Sequence, residues 1–152
     1  MAGHPTLFDR RTADRAALEL AARDPALGRI IERCGPLRLP VRPRGGAFAF
    51  LARTVVYQQL AIAAAARIHG RLVAELAPAD GRITPGRLLS ADAGAFRRAG
   101  VSGPKRRALI ALAEAVSRGE LSPRGLSRRD DEAVREAITA LPGFGRWSAE
   151  MF

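Results

Sequence analysis

Apolar residues along this chain recur three and four positions apart, and no segment sustains an alternation of two. The pattern therefore predicts helices and no strands. Residues 1–11 carry no period and read as frayed. Thr12 to Arg23 aligns Ala16, Leu20 and Ala21 on one face of a helix. Asp24-Pro25 starts a second helix, with Asp as cap and Pro in the first turn; it carries Leu27, Ile30 and Ile31 and ends at Cys34-Gly35. Pro36 to Gly46 holds three prolines, two glycines and three arginines, an extended arm rather than regular structure. From Ala47 a helix runs through Phe48, Leu51, Val55 and Val56 to about Gln59. Another spans about Ile62 to Leu76, with a small-residue run, Ala63 to Ala66, suited to close helix packing. Pro78 to Gly81 is a loop. Thr84-Pro85 opens a short helix, and Ser90 caps the next, which stops at Gly100. Pro104 to Ser117 turns Leu109, Leu112, Ala113 and Val116 inward and stops at Gly119. Asp130-Asp131 opens a helix carrying Val134, Ala137, Ile138 and Leu141. Pro142 ends it, and a last helix starts at about Arg146. The expected fold is all-α, a compact bundle of short helices. Residues 1–46 form N-terminal helices and an arm, and residues 47–152 a helical domain.

Composition narrows the chemistry. The 152 residues suffice for one domain with a real core. Cys34 is the single cysteine and His4 and His69 the only histidines, which excludes an internal disulfide, a four-cysteine zinc or iron–sulfur site and a His-rich metal site. The longest apolar run, Leu60 to Ala66, ends at Arg67, far short of the ~20 residues that cross a bilayer. No cleavable apolar leader is expected from the opening residues. The expectation is a cytoplasmic, nucleoid-associated protein that engages no membrane. Net charge is +10, from 25 basic and 15 acidic residues, and Lys105 is the one cation that is not arginine. Codon bias could inflate arginine without purpose. The charge is nevertheless clustered: residues 94–129 hold nine cations against Glu114 and Glu120, leaving +7 in about a quarter of the chain. Clustering of this kind favours a polyanion, most often nucleic acid.

The segment richest in chemistry is Leu141-Pro142-Gly143-Phe144-Gly145-Arg146-Trp147-Ser148-Ala149. A helix ends, two glycines flank one apolar residue, and a new helix begins. Glycines permit a tight turn and close approach of another chain. The amides of Gly143 and Gly145, with the new helix start, form a ready phosphate site. Phe144 would plug the turn into the core, and Ala149 would let the two helices cross closely. An ordinary helix–turn–helix corner would share the Pro-Gly step.

This run resembles the helix–hairpin–helix of base-excision DNA glycosylases, and most closely the DNA-3-methyladenine glycosylase II group. Thr54-Val55-Val56-Tyr57-Gln58-Gln59-Leu60-Ala61 resembles that group's helix end with paired glutamines. Ala99-Gly100-Val101-Ser102-Gly103-Pro104-Lys105 resembles its Gly-x-Ser-x-x-Lys loop. The three motifs follow in the family's order over residues 24–152, with the hairpin at about 131–152.

The resemblance implies a monofunctional glycosylase that flips an alkylated purine of the 3-methyladenine type out of double-stranded DNA and hydrolyses its N-glycosidic bond. It implies DNA contacts from Val101, Ser102, Gly103, Pro104 and Lys105, whose loop would wedge into the vacated stack, and from Gly143, Phe144, Gly145 and Arg146. Trp147 would stack on the base, with Tyr57, Gln58 and Gln59 at the pocket edge. Read from the residues alone, Tyr57 is equally a core aromatic and the glutamines a polar helix end. No cofactor is implied beyond a structural monovalent cation, Na or K, on the carbonyls of Thr139, Leu141 and Phe144. Bifunctional relatives place a nucleophilic lysine where this chain has Trp147, and tryptophan cannot form a Schiff base. The family's catalytic Asp has no match in residues 1–152. Asp130 and Asp131 read as helix-capping acids, and the Asp is expected beyond Phe152. The chain is thus expected to be incomplete, inactive as given, and monomeric. The alternatives are a non-catalytic helix–hairpin–helix DNA-binding module and a basic helical interaction domain.

Overall fold

The computed structural model describes residues 10–35, 46–126 and 128–152, which contain ten helices and no strand. Most of the frayed start and the Pro/Arg-rich arm expected at residues 36–46 lie outside the described residues. The chain divides into two compact units, Met1–Arg42 and Pro43–Phe152.

In the first unit, α1 (Arg10–Arg23) and α2 (Pro25–Cys34) pack on one another. Asp24 joins them. Its carboxylate accepts from the amides of Ala26 at 2.7 Å and Leu27 at 3.2 Å, satisfying donors that a helix start leaves open. The helices meet where Gly28 lies against Ala21; a Cβ at Gly28 would come within 3.3 Å of the Ala21 carbonyl oxygen. None of the α2 residues is buried, and Leu27 and Ile30 are exposed.

The second unit is built around α3 (Gly46–Tyr57), which packs against α4 (Ile62–Leu76), α7 (Gly103–Ser117), α8 (Pro123–Leu126) and α10 (Arg146–Glu150). Shorter helices complete it: α5 (Pro85–Ser90) on α7, α6 (Ala93–Ala99) on α4, and α9 (Asp131–Thr139) on α10. The sequence of α3 explains its place. Leu51, Ala52, Val55 and Val56 are buried, and Thr54 joins them because its hydroxyl donates to the Phe50 carbonyl at 3.0 Å. Leu72, Leu88, Phe96, Leu109, Leu126 and Ile138 close the core from the other helices. Each such side chain contributes about 1.5–3 kcal/mol on burial, which is what lets helices of four to seven residues persist here at all.

Four expectations change. Ser90 is the last residue of α5 and caps nothing; the cap of α6 is Asp92, whose carboxylate accepts from the Ala95 amide at 2.9 Å. An acid two residues downstream outcompetes a serine because it is charged and faces the helix dipole. Of the run Ala63 to Ala66, only Ala65 is buried, so close packing of α4 rests on one alanine rather than four. The α3 helix ends at Tyr57, two residues early, because Gln59 turns to a positive φ of 53°. The single-turn α8 was not foreseen, since four residues are too few to show a period.

Candidate nucleic-acid interface

The loop between α9 and α10 closes through two short backbone bonds, Leu141 amide to Ile138 carbonyl and Phe144 amide to Leu141 carbonyl, each 3.1 Å. Its two glycines do different work. Gly143 has φ +82°, and a Cβ there would lie 2.6 Å from the Ala108 Cβ of α7, so only glycine fits both the turn and the packing. Gly145 has an ordinary φ of −105° and nothing within 4 Å of where a Cβ would stand. The space beside Gly145 is open to solvent. Gly145 also heads α10 with no side-chain cap. Phe144 is buried in the core between the two glycines, as its plug position requires. Ser148 and Ala149 face inward, whereas Trp147 is 53% exposed and Met151, one turn on, is exposed beside it. Arg146 is exposed and bonds to the Glu150 carboxylate at 2.6 Å.

The end of α3 is fastened to this hairpin. The Gln58 amide nitrogen donates to the Gly143 carbonyl and to the Ser148 hydroxyl, both at 3.0 Å. Gln59 beside it is exposed. Lys105, from the first turn of α7, sends its ammonium to the carbonyls of Val56 at 2.7 Å and Gln58 at 2.8 Å, and burial lowers its pKa from the ordinary lysine value. The loop ahead of α7 splits. Ser102, Gly103 and Pro104 are exposed, but Val101, expected at the DNA face, is buried in the core with its amide on the Phe96 carbonyl at 2.9 Å. Its apolar, β-branched side chain is worth more in the core than in water. Ser102 heads α7 without capping it.

Tyr57 is half-buried at the same end of α3. Its hydroxyl accepts from Arg53 at 3.2 Å, the Arg53 guanidinium lies 4.6 Å from its ring centroid, and the His69 ring meets it edge-on at 6.3 Å. Burial, and then the Arg53 charge, push the His69 pKa below its usual value. Sequence reading passed over Arg53, His69 and Ser148. The Arg53–Tyr57 pair has the four-residue spacing of helix neighbours and was open to discovery. Ser148 lies within the hairpin run, but its partner Gln58 is 90 positions away, and His69 carries no local signal.

The basic segment is less uniform than its count. Arg98 is paired with Glu75 and Arg118 with Glu120 and Glu114, while Lys105 faces inward. Arg97, Arg107, Arg128 and Arg129 are exposed. For a cation, the hairpin offers neutral backbone oxygens. Leu141 already accepts one amide, and the Thr139 hydroxyl turns back to the Arg135 carbonyl at 2.8 Å. Carbonyls alone suit a weakly held monovalent ion better than a divalent one. No cluster of acidic or sulfur ligands exists among the described residues. No helix among them is long and apolar enough to cross a membrane.

No family model matches the chain. The crystal structure of a DNA-3-methyladenine glycosidase from Bacillus halodurans superposes with a TM-score of 0.71 at 36% identity, over 87% of this chain and 59% of that one. At that identity the chain is similar to this DNA-3-methyladenine glycosidase in both sequence and fold. The Schizosaccharomyces pombe 3-methyladenine DNA glycosylase Mag1, solved in complex with abasic DNA, gives a TM-score of 0.74 at 27% identity, over 90% of this chain and 67% of that one. The alkylbase DNA glycosidase-like protein mag2 of the same yeast is 22% identical over 139 residues, 91% of this chain and 65% of the relative. The chain therefore spans roughly three fifths to two thirds of the length of these relatives.

Proposed function

We propose that the chain is the DNA-engaging part of a monofunctional glycosylase acting on alkylated purines in double-stranded DNA. The observation that carries this reading is the Gln58 side chain, which joins the end of α3 to both the turn and the second helix of the hairpin. It links the segment that carries Tyr57 to the one that carries the uncapped helix start at Gly145 and the exposed Trp147. In this reading a phosphate oxygen takes the hairpin amides around Gly145, where the missing Cβ leaves room. Exposed arginines of the 94–129 segment add non-specific attraction. Ser102, Gly103 and Pro104 fill the stack vacated by the flipped base, which costs a few kcal/mol to extrude. Trp147 receives that base, and base–aromatic stacking returns about 1–3 kcal/mol. An electron-rich indole favours a cationic, alkylated purine over a neutral one. Carbonyls of Thr139, Leu141 and Phe144 would hold a monovalent cation, which would supply positive charge to the same phosphate.

Hydrolysis needs a carboxylate beside the sugar. Asp130 accepts from the Ala133 amide at 2.8 Å to cap α9, and Glu150 is bound to Arg146. These two acids have other work, and Asp131, Glu132 and Glu136 lie on α9 ahead of the turn rather than beyond it, so the expected behaviour of the 152-residue chain is binding without base release, as a monomer on DNA. The test is titration of a labelled duplex carrying an abasic-site analogue, at several salt concentrations, beside a base-release assay on methylated DNA. Tight binding that weakens steeply with salt, with no methylpurine freed, supports the reading. Affinity indifferent to salt would remove the phosphate site, and base release would show that a catalytic acid is present.

A further inference from the structure

Lys105 is anomalous on three counts. It is the single lysine in a chain that otherwise uses arginine at every cationic position. It sits in the first turn of α7, where the helix dipole disfavours a cation. Within a strongly basic segment, it turns inward rather than outward. Its ammonium donates to the carbonyls of Val56 and Gln58 at 2.7 and 2.8 Å, across 49 and 47 positions of sequence.

These features share one physical account. The last carbonyls of α3 have no partner in their own helix and carry the negative end of its dipole. A cation there offsets its poor position on α7. Two carbonyls converging on one point suit a compact ammonium with three donors, and a planar guanidinium fork fits them badly. Gln58, whose carbonyl Lys105 holds, then spends both N–H groups of its side chain on Gly143 and Ser148. The result is a continuous polar path from α7, through the end of α3, into the hairpin. It passes a residue in left-handed backbone, Gln59, which needs such support.

We infer that Lys105 is a positioning residue, an ammonium clamp that fixes the end of α3 and, through Gln58, the hairpin, and that makes no contact with DNA itself. The exposed Ser102–Pro104 loop leads directly into Lys105, so the clamp also sets the spacing between that loop and the hairpin. The role in DNA engagement rests on the function proposed above, whereas the clamp itself does not.

The experiment has two arms on wild type, Lys105→Met, Lys105→Arg and Gln58→Leu. The first is amide hydrogen exchange without DNA. Loss of a hydrogen-bonded charge should lower protection at residues 143–149 by about tenfold in Lys105→Met, with α5 and α6 unchanged. Arginine should restore little of it, and Gln58→Leu should reproduce the loss. The second arm is duplex affinity against salt. Clamp loss should weaken binding about tenfold with the salt slope unchanged, whereas a lost phosphate contact would lower the slope by about one. Intact hairpin protection in Lys105→Met with a reduced slope, or full rescue by arginine in both arms, overturns the clamp. If Lys105→Met does not fold by circular dichroism, Gln58→Leu decides, and unchanged hairpin exchange there overturns the proposal. Failure of wild type to bind duplex would overturn the proposed function, while the exchange arm still judges the clamp.

Discussion

Helix starts that lie wholly among the described residues fall into two groups. At α2, α5, α6, α8 and α9 a side-chain oxygen covers the first free amides: Asp24, Thr84, Asp92, Ser122 and Asp130. At α7 and α10, on either side of the Lys105–Gln58 path, the heading residues Ser102 and Gly145 cover nothing. A third uncapped start, at Ala61 before α4, follows directly after the Gln58-Gln59 turn. A side-chain cap stabilises by about 1 kcal/mol. Away from the candidate interface that stabilisation is taken; beside it no side chain takes the first amides of α7 or α10. The hairpin glycines repeat the contrast on a smaller scale, one demanded by packing against Ala108 and one by nothing inside the protein.

The sharpest way to break this comparison is to exchange the glycines' roles. Gly143→Val combines strained backbone with a clash against Ala108 and should cost about 3 kcal/mol or more, read as a large fall in Tm. Gly145→Ala should leave stability within about 0.5 kcal/mol of wild type, since its φ is ordinary and its space empty. Equal losses of stability would erase the distinction. Next in size is Gly145→Asp, which puts a carboxylate at the phosphate position and should weaken duplex binding about tenfold or more while the circular dichroism spectrum holds.

Caps give a smaller, purely thermodynamic contrast. Asp92→Ala and Asp130→Ala should each destabilise by about 1 kcal/mol in urea titration, whereas Ser102→Ala should be near neutral because no bond is lost. A Ser102→Ala loss as large as the aspartate losses would place α7 with the capped group. The smallest effect concerns pH. His69 has its pKa lowered in the folded chain, so the unfolded chain binds the extra proton first as pH falls. Stability should be full above the unfolded value of about 6.5 and decline as pH drops through it. His69→Gln should flatten that part of a stability profile, and a profile unchanged by the substitution would put the titrating group elsewhere.

How much was legible follows from the range over which each signal acts. Asp24-Pro25, Thr84-Pro85, Asp130 and the stops at Gly100 and Gly119 were readable because caps and turns involve neighbours three or four positions away. The inward face of α7 and Phe144 as a core plug were readable because periodicity and a flanking glycine pair are local patterns. The misplaced cap at Ser90 shows the limit of the same signal, where two capping residues stood within three positions and charge decided between them. Val101 was read with its exposed loop neighbours, although one residue separates core from surface there.

The sequence by itself determined an all-helical chain, most of its helix starts, a basic segment and a glycine turn, all set by interactions within a turn or two of the backbone. Tertiary structure alone decided which side chains meet: Gln58 with Gly143 and Ser148 across 85 and 90 positions, Lys105 with the end of α3 across 47 and 49. Such contacts depend on how separate helices pack, and packing is fixed by the whole core rather than by any local pattern. The direction of the Lys105 ammonium is the clearest case. Its charge and motif were visible in the chain, but the carbonyls that hold it come together only when α3 and α7 are side by side.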